Sequence, residues 1–209
     1  MGLKSEDKLF ILLGIFLTAL ICANLLGSKI TVILNIPVSV CIFAYPLTFL
    51  VTDIVEEVYG KRKTQIFILV GFVVLLITLL FVFIGKIMPP ATFYKFNESY
   101  VTIFSNSIRV IIASIIAFVL SQFHDIWSFN FWKKKTHGKH LWLRNNFSTI
   151  VSQFIDTTVF IFIAFYAVTA DYTVAIMFSM IIPYWFLKVL FAIGDTPFVY
   201  LGVRWLRKN

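Results

Sequence analysis

Charged side chains are scarce in this 209-residue chain, 13% against about 25% in an ordinary soluble domain. Hydrophobic residues make up 60% and the mean hydropathy is +0.92, which is more apolar surface than a water-soluble globule could cover. The same composition excludes disorder and a coiled coil. Cysteine is nearly absent. Cys22 and Cys41 lie in apolar stretches and form no C-x-x-C pair, so a disulfide scaffold is excluded and no redox or zinc motif arises. Cys22 follows Ala19-Leu20-Ile21, without the small residue just before it that a lipoprotein cleavage site would want. Missing too are a Walker loop, G-x-S-x-G and H-E-x-x-H. The expectation is a protein that is not an enzyme, does not itself hydrolyse ATP and carries no cofactor. His137 and His140 are spaced as a metal pair would be, but they stand alone in a basic loop.

What is present is apolar length. The hydrophobic share corresponds to roughly 125 residues, and six membrane helices of about 20 residues would use about 120. Lys4 and Lys8 followed by Leu9 to Gly27 loosely resemble a signal peptide, but the apolar run is too long for one and reads as a first membrane helix. Residues 30 to 52 are uncharged but interrupted by Asn35 and Pro37, which predicts a loop at 28–37 and a second helix at 38–59. Further helices are expected at 64–87, 105–129, 145–169 and 173–203. The last is too long for a straight span, and Pro183, Gly194 and Pro197 invite kinks or a break. The fold class expected is all-α, a single integral membrane domain with six transmembrane helices.

Basic residues orient such a chain. Lys4 and Lys8, Lys61 to Lys63, Lys133 to Lys135 with Lys139 and Arg144, and Arg204, Arg207 and Lys208 all fall on one side of a six-helix arrangement. Only Lys29, Lys86 and Lys95 fall on the other. That asymmetry puts both termini in the cytoplasm and reads the net charge of +8 as a topology signal, not as a nucleic-acid surface. The lipid bilayer is the expected partner. Trp127, Trp132 and Trp142 flank the cytoplasmic side as interface anchors.

An internal similarity bears on architecture. Thr48 to Glu56 in helix two lines up with Ser148 to Asp156 in helix five, hydroxyl against hydroxyl and Glu56 against Asp156. These are the middle helices of two three-helix halves, and an odd number per half makes the halves opposite in topology, as in inverted-repeat transporters.

Polar side chains inside the apolar runs are the candidates for function. A charge at mid-bilayer costs about 2.5–3.5 kcal/mol on insertion scales, so such groups face a protein interior or a water-filled cavity. Asn145, Thr149, Ser152 and Asp156 share one face of helix five, with Gln153 beside them. A hydrogen-bonded helix seam would use the same residues. Asp53 and Glu57 share a face of helix two, where Glu57 can also pair with Lys61 at i+4. Lys188 and Asp195 share a face of helix six, and Lys188 is a candidate counter-ion for Asp156 or Glu57. Arg109 can snorkel near the outer end of helix four, and Asn24 lies near the outer end of helix one.

These residues resemble those of the queuosine precursor transporters, within the vitamin uptake transporter group. The resemblance is carried by Pro46-Leu-Thr48 and Asp53-Ile-Val-Glu56-Glu57-Val-Tyr59-Gly60-Lys61, then by Arg109 with Ala113-Ser114 and Gln122 with Asp125. It is strongest in Arg144-Asn145-Asn146-Phe-Ser148-Thr149 through Gln153 and Asp156-Thr157, and continues in Lys188, Asp195-Thr196-Pro197 and Tyr200. Glu56 departs from the family, which more often has a small polar residue there.

The resemblance implies import of 7-deazaguanine bases, the nitrile or aminomethyl precursors or queuine, across a bacterial inner membrane. A guanine-like edge offers two adjacent donors that one carboxylate can accept together. Asp156 is the first candidate for that role, with Gln153, Asn145 and Asn146 serving carbonyl and ring nitrogen. Asp53 and Glu57 would read the amine of the aminomethyl base, and aromatic walls would stack the flat ring system. For so small a carrier a homodimer is the simplest assembly. Three readings stay open: a stand-alone carrier working by alternating access, a substrate-binding subunit needing separate ATPases, and a membrane scaffold whose polar stripe only packs helices.

Overall fold

The computed structural model describes residues 4–33, 36–136, 141–194 and 196–207. Seven α-helices, a two-stranded hairpin and a 3-10 turn follow in the order α1 (Ser5–Leu26), β1 (Ile30–Ile33), β2 (Ile36–Ser39), the turn (Val40–Phe43), α2 (Tyr45–Tyr59), α3 (Lys61–Ile87), α4 (Asn97–Lys135), α5 (Leu141–Phe165), α6 (Val174–Gly194) and α7 (Thr196–Arg207). Among the described residues, three helices are long and apolar enough to cross a bilayer: Ser5–Leu26, Lys61–Ile87 and Asn97–Ser121. Ile150–Phe165 and Val174–Lys188 are apolar but shorter. Less than a third of each long span is buried inside the protein (28%, 22% and 28%), so most of that apolar surface needs a cover other than protein.

The segment after α1 differs from expectation. Instead of a loop at 28–37 and a helix from 38, the chain folds into an antiparallel hairpin that pairs Ile30 with Ser39 and Ile33 with Ile36. The reason is local. Thr31, Val32, Ile33, Ile36, Val38 and Val40 are β-branched and prefer extended backbone, and Pro37 removes a helical donor. Ser39 then caps the 3-10 turn, its Oγ accepting from Cys41 N at 3.2 Å. Pro46, in the first turn of α2, presets the helical φ, so the helix begins at Tyr45. With 15 residues, α2 is about 22 Å long, short of the roughly 30 Å hydrocarbon thickness.

The carbonyls left open at the end of α1 are taken up by neighbours. Ser107 Oγ donates to Leu25 O at 2.9 Å, Ser39 Oγ to Gly27 O at 2.5 Å, and Lys29 N to Leu26 O at 3.2 Å. Gly60, at φ +77°, ψ 171°, separates α2 from α3 in one residue, a conformation that favours glycine. At the end of α5, Ala167 takes the left-handed role at φ 55°, and its N–H donates to Tyr172 O at 3.2 Å. Over the expected long last helix the described residues give α6 to Gly194 and α7 from Thr196, with Asp195 outside the described set, and Pro183 is carried inside α6.

By contact the chain divides into two compact units. The first is Met1–Ile111 with Leu187–Asn209. Its core joins Leu12 and Phe16 of α1, Val51, Ile54 and Val55 of α2, Phe67 of α3, and Val203 and Leu206 of α7. Helix approach is close at Gly71, where a Cβ would stand 2.8 Å from Phe16 Cε1 and 2.9 Å from Leu20 Cδ2. The second unit is Ile112–Phe186. Within it His124 of α4 meets Ser152 of α5, while Phe154 and Phe162 of α5 meet Trp185 and Phe178 of α6 edge-on at 5.9 and 5.8 Å.

Candidate functional site

In the first unit the polar groups collect on one side of α2. Thr48, Val51, Ile54 and Val55 are buried against the core. Asp53, Glu56 and Glu57 are exposed on the other side, along with Phe49. Helical spacing explains the split: 45, 49, 53 and 56 share a face, and Glu57 stands at its margin. Phe49 meets Tyr45 edge-on, ring centroids 5.3 Å apart. Lys188, on the part of α6 that belongs to this unit, places Nζ 5.4 Å from the Tyr45 ring centroid.

Glu57 does not share a helix face with Lys61, because Gly60 interrupts the helix between them. Instead Arg207 Nη2 of α7 lies 3.8 Å from Glu57 Oε1, with both side chains 63% exposed. A pair so open to solvent is worth little. Asn24, in the last turn of α1, is 2% exposed. Its Nδ2 donates to Leu20 O at 2.9 Å, and its Oδ1 is buried with no hydrogen-bond partner.

The second unit carries its polar groups on α4 and α5. Ser121, His124 and Ser128 recur at i, i+3 and i+7 on one face of α4. His124 Nδ1 and Ser152 Oγ are 3.0 Å apart, and Ser152 and Ser128 are both buried. Gln153 and Asp156 are half-buried on α5, and Asp156 is engaged in an interaction. Thr157, 1% exposed, has an Oγ1 with no hydrogen-bond partner, and Trp185 Nε1 of α6 is likewise buried without one. A buried hydroxyl and indole N–H left open in this way are groups a polar ligand or a water would satisfy.

Of the residues singled out from sequence, Asn24, Asp53, Glu57 and Lys188 therefore lie in the first unit, and Gln153 and Asp156 in the second. The side chains of Asn145, Asn146 and Thr149, on the first turns of α5, are outside the described set, as is Asp195 altogether. Sequence reasoning passed over His124, whose signal was its serine neighbours at helical spacing, and over Tyr45 and Phe49, whose signal was their i, i+4, i+8 register with Asp53. Among the described residues no group of three His, Cys, Asp or Glu side chains is placed to hold a metal ion.

A family model described as "putative vitamin uptake transporter" matches residues 39–202. The chain belongs to that family. The matched stretch opens at the end of the hairpin and runs into α7, so it contains the polar residues described here on α2, α4 and α5 but neither Asn24 nor Arg207. Over 198 residues the chain is 30% identical to the "Probable queuosine precursor transporter" of Bacillus subtilis (strain 168), covering 94% of this chain and 83% of that protein. No solved structure gives a significant match.

Proposed function

We propose that this chain imports queuosine precursor bases, 7-deazaguanines such as the nitrile, the aminomethyl base or queuine. The observation that carries the proposal is the similarity, over nearly its whole length, to the Bacillus subtilis protein of that name. The polar faces support a mechanism. Asp156 accepts the two adjacent donors of the guanine-like edge, with Gln153, Asn145, Asn146 and Thr149 proposed as its helpers. Asp53 and Glu57 attract the cationic aminomethyl group, and Asn24, Lys188 and Asp195 are further candidates for polar contact with the substrate. Only a cationic substrate gains from the additional carboxylates, so the aminomethyl base and the neutral nitrile are discriminated there.

Transport proceeds by alternating access across six spans in two three-helix halves, in the bacterial inner membrane, with both termini cytoplasmic and a homodimer as the assembly. What supports this is the broken character of the segment before the short α2, where a hairpin interrupts the apolar run. Discontinuous helices are where carriers build midplane sites. The charge asymmetry supports the orientation.

The test is salvage. Cells that neither make nor import these bases, but can insert a supplied base into tRNA, receive this protein and each base at nanomolar concentration. Queuosine in tRNA is expected with at least one base, and Asp156→Asn at equal membrane level is expected to lower it at least tenfold. If no base restores queuosine while the protein is in the membrane, the substrate assignment fails.

A further inference from the structure

The aromatic pair on α2 lies on a face that does not suit hydrocarbon. Tyr45, Phe49, Asp53 and Glu56 recur along it, opposite the buried Thr48, Val51, Ile54 and Val55. Exposed phenylalanines elsewhere have another setting. Phe81 of α3, 67% exposed, has Ile77 and Ile84 as its helical neighbours, and such a face suits lipid. Phe49 is 37% exposed, yet its neighbours one turn either way are Tyr45 and a carboxylate. Phe49 thus stands between Asp53 and a tyrosine ring covered by the Lys188 ammonium, a polar setting unlike the aliphatic one around Phe81.

Planar heteroaromatic ligands suit such a ring, since every base has a π-face that stacks on an aromatic side chain whatever its substituents. Tyr45 meets Phe49 at an interplanar angle of 66°, and Lys188 Nζ stands over the tyrosine ring, so the tyrosine is held as an end wall. Four residues of helix rise, about 6 Å, separate Phe49 from Asp53.

We infer that Phe49 is the stacking residue for the transported base, and thereby sets affinity for flat bicyclic ligands. A base lying on its ring brings its 7-substituent towards the Asp53 carboxylate, the group assigned above to the aminomethyl ammonium. The inference rests on the carrier reading above, and it assigns the aromatic wall to α2.

The experiment compares Phe49→Leu, Phe49→Tyr and Phe49→Trp in the full-length protein, using uptake of labelled queuine and of the nitrile and aminomethyl bases. Leucine keeps apolar volume without a π-face, so it is expected to raise KM roughly tenfold or more, while tyrosine and tryptophan keep KM within about threefold of wild type. Thermal unfolding of the purified proteins, with and without the base, separates binding from folding. The leucine variant is expected to match wild type without ligand and to lose most of the ligand-induced shift. Leucine transporting with the KM of tyrosine, or retaining the full ligand-induced shift, overturns the inference while leaving the carrier reading intact. Absence of uptake by the wild-type protein removes the carrier reading, and the inference with it.

Discussion

The 3.0 Å contact between His124 Nδ1 and Ser152 Oγ joins α4 to α5 through two side chains, and Ser152 is buried. Deleting the hydroxyl leaves an imidazole nitrogen short of a partner at a partly buried position, a loss of about 1–2 kcal/mol. Ser152→Ala is therefore expected to lower thermal stability in detergent, and the loss in the double variant with His124→Ala to be less than the sum of the two single losses, because the shared bond is removed only once. Additive losses in that cycle would show that the two side chains do not act together. The contact also shows what the sequence made legible at this scale. Ser152 was readable because Asp156 stands one turn away in an apolar run, and a lone carboxylate there draws attention to its face. His124 was not, because it sits in the part of α4 where Gln122, Asp125 and Asn130 make polarity ordinary.

Between elements, the docking of α7 is the most exposed to a single substitution. Gly202 lies against Ile54 of α2, and a Cβ there would meet Ile54 Cδ1 and stand 2.8 Å from its Cγ1. Lys8 of α1 adds a second tie. Its Nζ donates to Trp205 O at 3.0 Å and lies 5.5 Å from the Trp205 ring centroid, supplying a cation to carbonyls that the last turn of α7 leaves open. Gly202→Val is expected to cost about 1–3 kcal/mol by overpacking, with Ile54→Ala in the same chain restoring much of it. Protease sensitivity after α6 and thermal unfolding both report this, and an unchanged Gly202→Val protein would show that α7 is not held through Ile54. Breaks in the chain were partly legible. Gly194 and Pro197 invite an interruption, but nothing in residues 198–207 announced that α7 packs on α2. The hairpin was hidden for a different reason. A short apolar run rich in Val and Ile suits a buried strand and a buried helix equally, and only Pro37 tilted the balance.

For the whole molecule, the question is whether this chain is sufficient for transport. Membership of a vitamin uptake family fits a carrier and equally fits a substrate-binding subunit driven by separate ATPases. The two differ in what a purified chain does alone. A carrier has its own route between the two sides, and charged side chains such as Asp53, Glu56 and Asp156 within apolar segments are the groups such a route calls for. A binding subunit holds its ligand without releasing it until an ATPase acts. Liposomes containing only this protein are therefore expected to equilibrate labelled queuine or its nitrile precursor across the bilayer without ATP, and Asp156→Asn liposomes to do so at least tenfold more slowly. Tight binding with no movement across the bilayer would overturn the stand-alone reading. It would leave the ligand assignment standing, since a subunit that binds the base but cannot pass it on still recognises it through the same carboxylates.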